Sequence, residues 1–283
     1  MTASTLSLPS GRPAARRGRL RWGLSDVLVL TRRSLARIAR EPETLMDVTI
    51  QPVIFVLLFA YVFGSAIVIP GGGNYHEYLI GGMLAMGIAG TAPGTAVALV
   101  TDMSTGLIDR FRALPMSRWA VLAGRTIADL VTQALGALVV AGVGLAIGWR
   151  VHTGPADVLA AFGLALLFGY AFTWAGACLG MVLRSPEAAQ QLGFVLFLPL
   201  MFISNAFVPT QGMPGWLQAV ANWNPFSALA AAARHLFGNP NPAASVPAWP
   251  IQHAELAVVL WSAALLVVFA PLAVRLYRRK SLG

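Results

Sequence analysis

The chain has 283 residues, 57% of them hydrophobic and only 11% charged, with a mean hydropathy of +0.69. A soluble domain carries roughly 25% charged residues, so a water-covered globule of this size is excluded. The net charge of +9 comes from nineteen Arg and one Lys against eleven acids. Nucleic-acid binding would explain the basicity but not the apolarity. An integral membrane protein with its basic segments on one side explains both.

Residue counts exclude more. The single Cys178 rules out an intramolecular disulfide, a CxxC redox pair and a multi-Cys metal centre. The one lysine, Lys280, has no Gly-rich turn before it, so the phosphate-cradling loop of an ATPase is absent. The histidines (76, 152, 235 and 253) are scattered and form no HExxH pair. No cofactor or metal is therefore expected on this chain.

Taken in order, residues 1–22 read as a disordered basic tail. No short apolar core and small-residue cleavage site follows it, so a cleaved signal peptide is not expected. The pair Arg32-Arg33 does not make a twin-arginine signal, because Glu41, Glu43 and Asp47 interrupt the path to the first apolar run. Residues 24–40 form an amphipathic helix. Leu24, Val27, Leu28, Thr31, Leu35, Ile38 and Ala39 share one face, and Asp26, Arg33, Arg37 and Arg40 fall on the other. Such a helix lies in the membrane interface with its arginines toward head groups and cytoplasm. It serves either as a topological anchor or as a contact for a cytoplasmic partner through Arg33 and Arg37. Pro42 ends it.

Charge-free runs then mark the spans, since about 20 apolar residues cross a bilayer core. They cover 48–76, 78–101, 130–149, 158–183, 188–233 and 256–274. The fifth, at 46 residues, is too long for one helix, and its second part is rich in Pro, Gly, Asn and Gln. Six helices are predicted, near 49–69, 78–100, 126–149, 158–182, 191–208 and 254–274. With both termini cytoplasmic, eighteen basic residues fall inside and only Arg150 and Arg234 outside, which sets the orientation.

The loop between spans two and three contains LIDRFRAL, bracketed by Gly106 and Pro115. Leu107, Phe111 and Leu114 make one apolar stripe, and Asp109, Arg110 and Arg112 point elsewhere. A short protruding amphipathic element suits a groove on a partner; a solvated positive-inside loop is the alternative.

Several polar or aromatic residues fall at membrane depth. Asp129 in span three has Arg125 four residues earlier, the spacing of a helical ion pair, and buried acids are often functional. Thr132 and Gln133 continue that polar side. Gln51 beside Pro52, and Ser204 with Asn205, are further candidates for a path or kink. Phe172 and Trp174 are placed either to stack on a planar compound or to pack. Gly81-Gly82, Gly136 and Gly176/Gly180 offer close helix contacts.

Residues 209–250 hold seven of the eighteen prolines. Pro214-Gly215 opens a turn at Trp216–Ala221. Asn224 then caps a helix with Pro225 at its first position, which runs to Gly238. At about a dozen residues it is too short to cross. Two short helices that dip into the outer leaflet and return fit this pattern, as an outer gate or as a cap. Trp216, Trp223 and Trp249 suit the outer interface.

The run DRFRALPMSR at 109–118, followed by AVLAGRTIADL at 120–130, resembles the signature of ABC-2-type permeases. It is most similar to the daunorubicin/doxorubicin-resistance subgroup of drug exporters. A second stretch, SNAFVPTQGMPGWLQAVANWNPFSALAAAARHL at 204–236, resembles that family's region after span five. The resemblance covers most of 24–280.

It implies an all-α integral membrane domain over 23–280, in the plasma (inner) membrane. The domain would have six transmembrane helices, an N-terminal interfacial helix and a re-entrant hairpin between spans five and six. It implies a permease without ATPase chemistry of its own, assembled as a homodimer or as a heterodimer with a related permease. A separate cytoplasmic ABC ATPase subunit would bind ATP and Mg. Asp109, Arg110, Phe111, Arg112, Leu114, Pro115 and Ser117 become the expected coupling residues. Gln51, Asp129, Thr132, Gln133, Phe172, Trp174, Ser204, Asn205, Trp216 and Asn224 become the expected path or gate. The cargo implied is a hydrophobic or amphipathic drug. Export of a polysaccharide, lipid-linked glycan or lipid uses the same architecture. A membrane enzyme would need clustered acids or histidines at membrane depth.

Overall fold

Pro42 stands at the first position of a helix, where its missing N–H costs nothing. The computed structural model describes residues 42–104 and 118–280, so the interfacial helix 24–40 lies outside the described residues. Helix α1 spans Pro42–Leu58 and widens into a π turn at Phe59–Phe63. Helices α2 (Tyr75–Ala89) and α3 (Thr91–Ser104) follow, joined at Gly90. Then come α4 (Arg118–Ala146), α5 (Pro155–Val182) and α6 (Pro186–Phe202). Short helices α7 (Gly215–Trp223) and α8 (Pro225–Phe237) form a hairpin. After it come α9 (Trp249–Gln252) and the long α10 (Ala254–Lys280). No strand occurs among the described residues.

Four stretches are long and apolar enough to cross a bilayer: Tyr75–Ser104, Arg125–Ala146, Pro155–Val182 and Ala254–Tyr277. The sequence pattern predicts six. The two that fall short are α1, whose apolar part is Val48–Phe63, and α6, with 17 residues. At ~1.5 Å per residue, 17 residues rise about 26 Å against a core of about 30 Å. Helix α6 stops at Phe202, not at 208, because the chain turns through Ser204, Asn205 and Ala206 to meet α2 and α8. Helix α1 gives way after Phe63, short of the expected 69.

Helix α5 is the centre of the bundle and packs on α10, α3, α8 and α4. Its Gly176 and Gly180 let α3 approach closely: a Cβ at Gly176 would sit 2.1 Å from the Ala92 carbonyl oxygen, and one at Gly180 2.7 Å from that of Ala96. The small-residue spacing thus makes a helix crossing, as it does in membrane interfaces generally. Helix α8 packs on α2, α5 and α10, and its run Ser227–Ala233 is wholly buried. Alanines suit this place because backbones on three sides come close.

The outer surface inverts the rule for water-soluble proteins. Ile54 on α1, Phe194 and Val195 on α6 and Val267 on α10 are exposed, Val195 by 67%. Contiguous apolar exposure on this scale calls for lipid or protein cover.

Candidate functional site

The structure gathers the expected polar residues into two groups, one on α4 and one around the break after α6. On α4, Arg125, Asp129 and Gln133 lie at i, i+4 and i+8, one stripe on one face. Arg125 Nε is 3.1 Å from Asp129 Oδ1, which is the pairing the spacing suggests. The other carboxylate oxygen accepts a hydrogen bond from Thr95 Oγ1 of α3 at 2.8 Å. The single hydroxyl proton of Thr95 is shared with the Thr91 carbonyl at 3.0 Å, so the side chain lies against its own helix while it faces the acid. One turn further, Gln133 is only 5% exposed, and neither its amide nitrogen nor its amide oxygen has a partner in the structure. The amide lies against α5 at Gly169, where a Cβ would come within 2.1 Å of its oxygen. Thr132 is half-buried and bonds back to the Ala128 carbonyl, off this stripe.

The second group is built on backbone carbonyls. Asn224 caps α8 by accepting from the Phe226 N–H, as its position before Pro225 predicts. Its amide nitrogen also donates to the Leu200 and Ile203 carbonyls, both at 2.6 Å, which are left open where α6 ends. Ser204 turns its hydroxyl to the Met201 carbonyl and accepts from the Ala206 N–H. The Asn205 N–H donates to Ser227 Oγ of α8. Into this turn reaches Arg234, which is fully buried. Its Nε donates to the Tyr78 carbonyl at 2.8 Å, and Nη2 to the Asn205 and Ala206 carbonyls at 2.9 and 2.8 Å. Nη1 reaches Asn205 Oδ1 at 3.3 Å. The guanidinium carbon sits 3.6 Å from the centre of the Tyr78 ring, a cation–π contact. The Tyr78 hydroxyl closes the circle on the Asn205 carbonyl.

Arg234 is a correction. Counted as an outward loop charge, it is instead the most enclosed cation described, held by neutral oxygens. Tyr78, Thr95 and Ser227 were also missed. The available signal was the alanine-rich stretch 228–233, whose small side chains mark a helix packed closely by its neighbours.

The remaining expected residues do not join these groups. Gln51 faces outward from α1. Trp216 is 72% exposed on α7. Phe172 is packed edge-on against Phe197 and Phe226, while Trp174 sits in a different cluster with Leu99, Met181 and Tyr277. They do not form one stacking platform. Between α2, the α6 terminus and α8 lies a cleft lined by Met86, Met201, Ser204, Phe207 and Phe226, with an empty volume of about 150 Å³. That volume is open to solvent and encloses no room for a ligand, so within one protomer this cleft does not hold a drug-sized molecule. Arg33, Arg37, Asp109, Arg110, Phe111, Arg112, Leu114, Pro115 and Ser117 lie outside the described residues.

Residues 25–237 match the ABC-2 type transporter family. The chain belongs to that family. Among relatives of this permease is the daunorubicin resistance ABC transporter permease protein DrrB1 of Streptomyces coeruleorubidus. It is 34% identical over 240 residues, which cover 85% of this chain and 81% of the relative. A probable doxorubicin resistance ABC transporter permease protein, DrrC of Mycobacterium tuberculosis, is 26% identical over 285 residues, 99% of this chain and 98% of that one. A putative transport permease of Cyanophora paradoxa, ycf38, is 25% identical over 76% of this chain and 75% of its own length.

Proposed function

We propose that this permease is the membrane subunit of an ATP-driven exporter that moves a hydrophobic or amphipathic drug out of the cell. The observation that carries this reading is the 34% identity, across 85% of the chain, to a permease named for daunorubicin resistance. Family membership implies an ATPase subunit as partner, and the lack of a phosphate-binding loop in this chain agrees with energy supplied from outside it. The docking surface is assigned to Arg33 and Arg37 on the interfacial helix and to Asp109–Ser117 on the loop between α3 and α4. The basic-residue bias supports cytoplasmic termini in the inner membrane, six spans completed by α1 and α6, and a re-entrant α7–α8 hairpin on the outer side. Because the cleft beside the α6 terminus has no room for a drug-sized molecule within one protomer, the path is assigned to the interface of two permeases. The Asp129–Gln133 stripe, buried against α3 and α5, would brace the inner end of that path from behind, and Ser204, Asn205 and Asn224 would support its outer gate.

The test is co-expression with a candidate ABC ATPase subunit from the same genome, followed by purification and reconstitution with daunorubicin as probe. The pair should co-purify, hydrolyse ATP faster with daunorubicin, and lower its accumulation in cells. Arg112→Glu or Phe111→Ala should abolish co-purification. If both variants pair and export as the parent does, the docking loop is misassigned. If the intact pair forms but ignores daunorubicin, the cargo is of another class, such as a glycan or lipid.

A further inference from the structure

We infer that Arg234 is a positioning residue that ties the α7–α8 hairpin to α2, and that through this tie the movement of the α2–α3 pair reaches the hairpin during transport. This rests on the exporter reading above, in which the segment following α3 receives the ATPase.

The first ground is what the arginine does that a hydrophobe would not. Core filling alone is achieved at lower cost by an apolar side chain, because a buried cation must be stripped of water. Arginine adds a rigid fork of donors with fixed directions. Here the fork joins three pieces of backbone: the side chain springs from α8, Nε holds the Tyr78 carbonyl in α2, and Nη2 holds the Asn205 and Ala206 carbonyls after α6. These partners are 156, 29 and 28 residues away in sequence. The Tyr78 hydroxyl holds the same Asn205 carbonyl, so α2 and the guanidinium grip one turn together.

The second ground is that the surrounding surface is shaped for this grip. A Cβ at Gly81 would lie 2.8 Å from Arg234 Cγ and 3.1 Å from the Ala230 carbonyl oxygen. At Gly82 it would lie 1.7 Å from the Ala206 carbonyl oxygen. Both glycines on α2 are therefore empty where the arginine stem and its carbonyl cradle need room.

The third ground is the reach of α2. With α3 it makes one 30-residue stretch, Tyr75–Ser104, interrupted only at Gly90. One end carries Tyr78 and the hairpin, and the other leads into residues 105–117. A helix transmits displacement along its axis. The arginine adds a directed polar grip to the packing of α8 on α2, whereas the other hydrogen bonds described for α8 run elsewhere. Thr153 and the His152 N–H hold the Leu236 and Phe237 carbonyls from the α4–α5 turn, and His235 pairs with Glu255 of α10.

The test uses the permease reconstituted with its ATPase, with ATP hydrolysis and daunorubicin transport measured on the same vesicles. Arg234→Met should leave hydrolysis near the parent level and lower transport per ATP on the order of tenfold. Arg234→Lys, which keeps the charge over the Tyr78 ring but loses the fork, should fall between. Gly81→Ala keeps the guanidinium and pushes on its stem, and should also lower the ratio. An unchanged ratio in Arg234→Lys or Gly81→Ala overturns the inference. So does equal loss of hydrolysis and transport, or failure of every variant to assemble, since each marks a purely structural role. If the parent pair itself shows no daunorubicin-stimulated hydrolysis, the exporter reading fails first, and separately.

Discussion

Thr95 donates its hydroxyl to Asp129 at 2.8 Å, on the carboxylate oxygen opposite the one that faces Arg125. The acid is thus shared between its own helix and α3, and charge-assisted bonds of this kind contribute about 1.5–3 kcal/mol. Asp129→Ala should destabilise the detergent-purified permease by an amount in that range, read as a lower melting temperature. Arg125→Ala combined with Asp129→Ala should cost less than the two single changes added, because the pair is lost once. Strict additivity would show that the two side chains do not interact in the folded protein.

Gln133 makes the opposite case. Its amide is buried without partners, and an unsatisfied buried polar group costs about 1–3 kcal/mol. Gln133→Met, close in shape and apolar, should therefore raise thermal stability while daunorubicin export falls. A variant that is less stable, or one that exports normally, would remove Gln133 from the proposed path.

Close helix contacts set a steric hierarchy among the glycines. Gly82→Ala and Gly176→Ala drive a methyl group into the backbone at Ala206 and Ala92, and overpacking of this kind costs about 1–3 kcal/mol or more. Gly87, on the same helix as Gly82, meets nothing within 4 Å. Fluorescence-detected size exclusion should show aggregated or missing protein for the first two substitutions and a parent-like peak for Gly87→Ala.

Asn224 separates two jobs that one residue performs. Asp caps helices as well as Asn does, but it has no N–H for the Leu200 and Ile203 carbonyls. Asn224→Asp should accordingly be worse than Asn224→Ser, because it sets a carboxylate against two carbonyl oxygens. The reverse order in melting temperature would mean that only the cap matters.

How much of this was legible in the sequence depended on distance along the chain. The Arg125–Asp129 pair, the Asn224 cap, Pro225 at its first position and the Gly238 stop are local patterns, and each reappears in the structure. The Gly176/Gly180 contact was legible because small-residue spacing is itself a helix-packing code. The shortness of α6 was not, since the turn at Ser204–Ala206 is stabilised by Tyr78 and Ser227, far away in sequence. The burial of Arg234 was hidden for a different reason. Its partners are backbone carbonyls, and every residue type carries one. A charge count can only place such an arginine on one side of the membrane.

The carbonyl cradle also dictates an order of biogenesis. An arginine left alone in hydrocarbon costs about 2.5–3.5 kcal/mol even on insertion-based scales. The oxygen that Nε requires, on Tyr78, is synthesised 156 residues before Arg234 emerges. Helix α2 must therefore still be near the site of insertion, with its Gly81-Gly82 face open, when α8 leaves the ribosome. A chain whose second span has already drifted off with a neighbour has nowhere to seat its last buried charge.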